Sequence, residues 1–196
     1  MLSQTALDLD GVIFDYEKTF QREAARLNLN ISIKHPEIYN MAERYEITPE
    51  TVSLINSKID FSDIDTYDEV LFLKDHIKNI KCFITSSPLE ILDKRRDNIR
   101  KVFNKDIPLY YAGAKEKHRI ISELGIKYFI DDYNAVIHHI KLNCPDCKAY
   151  WLNRGYKDKS LSEPVNKINN LTKFFECIIM KEEEVNKVLQ NSNAYM

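Results

Sequence analysis

Cysteine is scarce in this chain. Four occur among 196 residues, at Cys82, Cys144, Cys147 and Cys177. That is too few for a disulfide scaffold of this size, so reduced thiols are expected. No uninterrupted apolar run is long enough to cross a bilayer. The N-terminus, which passes from Met1 into Thr5-Ala6-Leu7-Asp8, lacks the basic, apolar and small-residue order of a secretory signal. Neither sign of charge dominates. The formal net charge is −2, which gives no support to nucleic-acid or membrane-surface binding. Internal repeats and low-complexity linkers are also missing. The expectation is a soluble, cytoplasmic protein with no membrane or nucleic-acid partner and with its oligomeric state open.

What is present is enough apolar residue, 44% of the chain, to bury the core of one domain with a small insert. A short buried strand is expected over Gln4–Leu9, running into Asp8-Leu9-Asp10-Gly11-Val12-Ile13-Phe14. From Tyr16 to Asp68 the pattern is helical and polar, broken by Pro36 and Pro49, with Thr48 as N-cap ahead of Pro49. Val70, Leu71, Leu73 and Ile77 space like a helix face. Cys82–Thr85 reads as a buried strand. A helix from Pro88 to Phe103 is expected, with Ser87 as N-cap and Glu90 completing a capping box.

Further along, Leu109–Ala112 is a strand candidate. Glu116–Leu124 is a helix closed by Gly125. Tyr128–Ile130 is a buried strand, Val136, Ile137 and Ile140 mark a helix, and Lys148–Leu152 is a last strand. The tail from Pro164 reads as helical, with a solvated charged run at Lys181–Glu184. Strands alternating with helices give an α/β fold: a three-layer, doubly wound parallel sheet of Rossmann type. The insert, residues 16–68, interrupts a core of residues 1–15 and 69–196 as a small helical cap.

Three apolar strands end in polar chemistry. They deliver Asp8 and Asp10, then Thr85 and Ser86, then Asp131 and Asp132. In a doubly wound sheet, ligands bind beyond the carboxyl ends of the strands. Carboxylates gathered in one crevice repel each other, and a divalent cation resolves the conflict. Ligands that are all oxygens suit Mg²⁺, held by Asp8, Asp10, Asp131 and Asp132. Asp8 and Asp10 alternate along a strand and so address one face. One can attack phosphorus, and the other can protonate the leaving oxygen and then activate water. Gly11 would let the chain turn and bring backbone N–H groups near a phosphate. Thr85 or Ser86 would donate to a phosphate oxygen, helped by the start of the following helix. Lys117 is preferred over Lys115 for balancing the phosphate charge.

Taken together, these residues resemble the haloacid dehalogenase superfamily. Asp8-Leu9-Asp10-Gly11-Val12-Ile13 matches its first motif, Ile84-Thr85-Ser86 the second, Lys117 the third and Ile130-Asp131-Asp132 the fourth. The resemblance implies Asp8 as nucleophile and Asp10 as acid–base. It also implies Asp131 and the Asp10 carbonyl on Mg²⁺, with Asp132 reached through water. An acid at Asp10 is the mark of the phosphatase branch. The stretch Phe83–Leu89, Phe-Ile-Thr-Ser-Ser-Pro-Leu, is similar to that of 5′(3′)-deoxyribonucleotidases, though with an extra serine that leaves Thr85 and Ser86 both open as phosphate donors. This implies a nucleoside monophosphate as substrate. The alternatives are nucleic-acid ends, sugar phosphates, or a non-catalytic binding role.

In such nucleotidases aromatic cap residues stack on the base. Here Phe20, Tyr39 and Tyr45 are available, each read first as packing within the cap. Cys144-Pro145-Asp146-Cys147, with His138 and His139 upstream, is a weak zinc or redox signal. His118, beside Lys117, is read first as solvated and second as standing near the pocket mouth. Arg95 and Arg96 are read first as an exposed helix face and second as reaching another anionic group on a substrate.

Overall fold

The computed structural model describes residues 4–162 and 166–178. Six strands form one sheet: β1 (Thr5–Leu7), β2 (Ile80–Thr85), β3 (Leu109–Tyr111), β4 (Tyr128–Asp131), β5 (Lys148–Leu152) and β6 (Lys167–Ile168). Every pairing is parallel, and the spatial order is β3-β2-β1-β4-β5-β6. Strand order reverses between β1 and β4, which makes the carboxyl ends of those two strands the topological switch point.

The helices are α1 (Tyr16–Arg26), α2 (Met41–Tyr45), α3 (Pro49–Asn56), α4 (Val70–His76), α5 (Leu92–Phe103), α6 (Lys117–Glu123) and α7 (Asn134–Asn143). Residues 171–178 are also helical. Among the described residues no helix is long and apolar enough to cross a membrane.

The inner strands β1, β2, β4 and β5 bury both faces, so they read as near-continuous apolar runs that still sort by a period of two. Leu7, Phe83, Ile130, Tyr150 and Leu152 point to one buried cluster, which takes in Leu73 of α4, Ile99 of α5 and Phe174. Ala6, Cys82, Ile84, Phe129, Ala149 and Trp151 point to the other, packed by Ile121 of α6 and Ile137 and Ile140 of α7. Helices thus cover both sides of the sheet, as a three-layer α/β fold requires.

Between β1 and α4 the chain makes a helical excursion. It leaves beside the place where it returns: Asp15 N–H donates to Asp65 O at 2.8 Å and Tyr67 N–H to Ile13 O at 3.2 Å. Thr48 caps α3 as expected, its hydroxyl accepting from Thr51 N–H at 3.2 Å. Phe20, Ala24, Tyr45 and Ile55 of this excursion join the same buried cluster as the sheet.

Several local expectations are corrected. β1 stops at Leu7, two residues early, because Leu9 O turns to accept from the N–H groups of Val12, Ile13 and Phe14. Residues Leu89–Ile91 form a 3-10 turn, and α5 begins only at Leu92, with no side-chain cap. Ser87 makes no capping box there, because its hydroxyl is spent on Asp10. Leu71 is 69% exposed while Val70 and Leu73 are buried, so the apolar face of α4 is narrower than its sequence. The strand β6 precedes the last helix. Pro164 and Lys181–Glu184 lie outside the described residues.

Candidate active site

The three strand ends named above are neighbours in the sheet, β2-β1-β4, and they converge. Asp8 follows β1 directly, and its N–H donates to Ile130 O of β4 at 3.0 Å. Asp131 is the last residue of β4. Lys117, at the start of α6, is buried and bridges the two: Nζ donates to Asp8 Oδ1 at 2.6 Å and to Asp131 Oδ2 at 2.8 Å. Burial would lower the lysine's pKa, but the Asp131 and Asp8 carboxylates outweigh it and hold the ammonium charged. Lys115 is exposed, so Lys117 is the lysine brought to the site.

Asp132 lies beside this pair. Its Oδ2 accepts from Tyr156 O–H at 2.5 Å, and its Oδ1 is buried with no hydrogen-bond partner. Asp8, Asp131 and Asp132 each offer an oxygen within 4.8 Å of the others. Burial pushes the Asp8 carboxyl up to about 7, against the pull of Lys117 and with help from the Asp131 and Asp10 charges. Burial, then the Asp131 and Asp8 charges, raises Asp132 well above the usual carboxylate range. One lysine does not neutralise three buried carboxylates. The orphaned Asp132 oxygen and the all-oxygen donor set fit a hard divalent cation such as Mg²⁺.

Asp10 is placed differently from the expected strand alternation. It sits on the turn after β1, where Gly11 takes φ of +77°. A Cβ at Gly11 would fall 1.7 Å from Asp132 Oδ2, so glycine is required for close approach as well as for the turn. Gly11 N–H itself donates to Phe14 O at 2.9 Å and so is not among the N–H groups that the turn could offer a phosphate. The Asp10 carboxylate turns toward Ser87 Oγ, at 3.1 Å, and toward Arg95. It stands outside the group of three.

Of the two candidate hydroxyls, Thr85 is buried and its Oγ1 accepts from Ser87 N–H at 3.1 Å. Ser86 is exposed and donates to Ala112 O at 2.9 Å. Both line a cavity of about 630 Å³ together with Asp8, Lys117 and Asp131. Because α5 starts at Leu92, its N-terminus does not begin at Ser87 as the anion-binding expectation required.

A second cavity of about 590 Å³ adjoins the first under the excursion. The two share Asp10, Tyr16, Tyr39, Asn56 and Tyr133 as walls. Tyr39 is 43% exposed and does not pack inside the cap as expected. Its ring stacks on Tyr133 at 3.9 Å and meets Tyr156 edge-on at 5.4 Å. Phe20 and Tyr45 are buried and do pack together, with ring centroids 5.6 Å apart. Tyr45 is further tied to Gln21 and Glu17. The charged residues lining the second cavity are Asp10, Glu17, Asp132 and Arg44. Arg44 is spent: its guanidinium holds Glu17 through two bonds of 2.5 and 2.9 Å and the carbonyls of Pro36 and Ile38.

Two residues near the site, Ser87 and Tyr156, have no site motif in the sequence, and a third, Arg95, departs from its expected exposed face. Arg95 is fully buried and paired with Asp10, not exposed. The periodicity of Leu92, Arg95, Ile99 and Phe103, all buried, was the available signal, hidden by the charged run around it. Ser87 reads as a cap in any sequence. Tyr156 and its bond to Asp132 follow from no motif. Arg96 is half-exposed and pairs with Asp93 at 2.5 Å.

Cys144 and Cys147 belong to the buried cluster packed under α6 and α7. Both are buried, and burial raises Cys144 and pushes Cys147 up to about 12. Among the described residues the three aspartates are the one group with metal-binding spacing. His138 bonds Ser162 O, and His118, half-buried, bonds Lys115 O.

No protein-family model matches the chain, and no curated protein does. Solved structures do. A conserved haloacid dehalogenase-like protein of unknown function from Agrobacterium tumefaciens superposes with a TM-score of 0.59 at 14% identity, covering 93% of this chain and 100% of that one. A haloacid dehalogenase-like family hydrolase from Xanthomonas campestris gives 0.53 at 10% identity, covering 95% and 98%. A haloacid dehalogenase-like hydrolase from Burkholderia xenovorans gives 0.53 at 11%, covering 91% and 96%. At these identities the likeness is one of fold: the chain has a haloacid dehalogenase-like α/β fold.

Proposed function

We propose that the protein is a Mg²⁺-dependent phosphomonoester hydrolase that works through a phosphoryl group carried on Asp8. The carrying observation is the buried Lys117 bridge between Asp8 and Asp131, with an unpartnered Asp132 oxygen beside it. A lysine holding a carboxylate at a strand tip orients it as a nucleophile. It also offers a positive charge to a phosphoryl group. Mg²⁺ bound by Asp8, Asp131 and Asp132 would neutralise charge on the transferring phosphoryl group.

The chemistry runs in two displacements. An Asp8 oxygen forms a bond to phosphorus as the phosphorus–ester oxygen bond breaks, and the departing oxygen takes a proton from Asp10. Water then attacks the same phosphorus and gives its proton to Asp10. The phosphorus–Asp8 bond breaks, and inorganic phosphate leaves with Asp8 restored. Thr85 and Ser86, on the wall of the same cavity, are the hydroxyls within this reading for the phosphoryl oxygens.

For the leaving group the reading is a nucleoside, held under the excursion of residues 16–68 acting as a cap. Tyr39, Tyr133 and Tyr156 supply aromatic faces, which suit a planar base. The second cavity has three carboxylates against one arginine already spent on Glu17. The cavity therefore offers no unengaged cation to a second phosphate, which disfavours nucleic-acid ends and bisphosphates.

The test is phosphate release from nucleoside 5′- and 3′-monophosphates, sugar phosphates and 3′-phosphorylated oligonucleotides, with Mg²⁺, with EDTA, and with Asp8→Asn. Release from nucleoside monophosphates that needs Mg²⁺ and disappears in Asp8→Asn is the expected result. Preference for the oligonucleotides would overturn the substrate assignment, and turnover undiminished in Asp8→Asn would overturn the mechanism.

A further inference from the structure

Helix α5 carries a cation to which the reaction above gives no task. Arg95 is 0% exposed and its guanidinium lies 4.6 Å over the Phe14 ring. Nη2 donates to Asp10 Oδ1. Nε and Nη1 are buried with no hydrogen-bond partner. Among the described residues Asp10 is its ion-pair partner. Its neighbour Arg96 is the ordinary case, a half-exposed side chain paired with Asp93 within the helix.

A guanidinium taken out of water with one carboxylate and two unmet donors is a poor stabiliser. Its desolvation is not recovered from a single pair, and an apolar side chain of similar volume would serve the fold as well or better. The pairing does something else. Asp10 stands on a turn, with its side chain 32% exposed, so the backbone alone leaves the carboxylate free to rotate. Arg95 pins Oδ1. Ser87 Oγ pins Oδ2 at 3.1 Å and is itself joined to Thr85 Oγ1 at 2.9 Å. The carboxylate is thereby held where the two cavities meet.

We propose that Arg95 is the positioning residue for Asp10, acting with Ser87 to fix the direction in which Asp10 meets the leaving oxygen. This rests on Asp10 serving as acid–base in the reaction above. Arg95 lines neither cavity; it works through Asp10. Misplacement of a reacting group by about 1 Å costs on the order of 10²-fold in rate. That is the size of effect expected from losing the clamp.

The experiment compares Arg95→Met, Arg95→Lys, Asp10→Asn and the double variant Arg95→Met/Asp10→Asn. It uses p-nitrophenyl phosphate and phenyl phosphate as substrates, with thermal melting alongside. Arg95→Met is expected to melt at or above the parent temperature. Its kcat should fall about 10²-fold, with KM held within about threefold. The loss should be larger on phenyl phosphate, whose poorer leaving group needs the Asp10 proton more. In the Asp10→Asn background Arg95→Met should change nothing further, and Arg95→Lys should recover part of the loss. If Arg95→Met does not fold, Arg95→Lys carries the same comparison of the two substrates.

Parent kcat in the Arg95 variants beside a slow Asp10→Asn overturns the positioning role, as does an equal loss with and without Asp10. An Asp10→Asn variant as fast as the parent overturns the acid–base reading instead, so the two failures are distinct.

Discussion

Asp8, Lys117 and Asp131 stand on elements whose places the sheet dictates, whereas Tyr39, Tyr133 and Tyr156 come from three separate loops. The first group lies at the tips of adjacent strands and at one helix start, tied by bonds of 2.6 and 2.8 Å. The second group meets only by ring contacts: one residue from the excursion, one following β4 and one following β5. In the proposed reaction, chemistry that depends on fractions of an ångström falls to the rigid part, and selection of the leaving group to the part that can vary without unfolding the sheet. The loop after β5 also fastens the excursion to the core, through Lys157 N–H to Glu37 O at 3.1 Å and Lys159 to Glu37 at 2.7 Å.

The largest effect should come from the strand tips. Asp8→Asn should lower turnover by about 10⁴-fold or more while leaving the melting temperature near or above that of the parent, since it removes a buried charge. Lys117→Met should be equally inactive but also unstable. It strips the partner from two buried carboxylates, a loss of about 3–5 kcal/mol readable by urea denaturation. Equal stability in both variants would break the account of Lys117 as the shared counter-charge.

Next comes Gly11→Ala. A methyl group directed at Asp132 Oδ2, on a residue already at positive φ, should destabilise the protein and weaken Mg²⁺ binding measured by calorimetry. Unchanged binding would show that Asp132 is not a ligand.

The tyrosine loops should give smaller and more selective effects. Tyr39→Ala is expected to lower kcat/KM on nucleoside monophosphates by about tenfold, from loss of one stacking surface, while rates on small alkyl phosphates barely move. A uniform loss on all substrates would place Tyr39 with the chemistry and erase the division drawn here.

Stability against pH offers a further contrast. Without divalent cation, the folded Asp8 carboxyl titrates at about 7 against an ordinary 3.8. The folded state therefore keeps a proton that the unfolded chain has lost. Unfolding free energy should fall as pH rises from about 4 through about 7, by an amount on the order of a few kcal/mol. The raised Asp132 acts in the same direction. Saturating Mg²⁺ should flatten the slope, and a metal-free protein that grows more stable over this window would contradict the buried carboxylate cluster. The smallest effect is expected from Thr48→Ala, about 1 kcal/mol from the lost cap of α3, with kcat on small substrates unchanged.

The same division governed what could be read in advance. β5 was legible to the residue, and β2, β4 and α6 nearly so, because apolar runs ended by Asp131 or closed by Gly125 are local signals. The strand-end carboxylates and Lys117 were legible because a parallel sheet brings strand tips together whatever the loops do. β6 was not, since two residues at a sheet edge carry no period. The start of α5 was misread because Ser87 serves Asp10 rather than the helix, a tertiary competition that no capping pattern reveals. Tyr39 and Tyr156 were illegible as a pair for the same reason: 117 positions of sequence separate two rings that touch in space.

The central claim is that Asp8 carries the phosphoryl group. It is tested most directly by mixing the protein with p-nitrophenyl phosphate and Mg²⁺, quenching with acid within one turnover, and mapping phosphorylated peptides by mass spectrometry. The expected result is one phosphoryl group on the peptide containing Asp8, on the side chain of Asp8 itself, and none in Asp8→Asn. Turnover with no phosphorylated peptide at any quench time, or with the phosphoryl group on another residue, would contradict it.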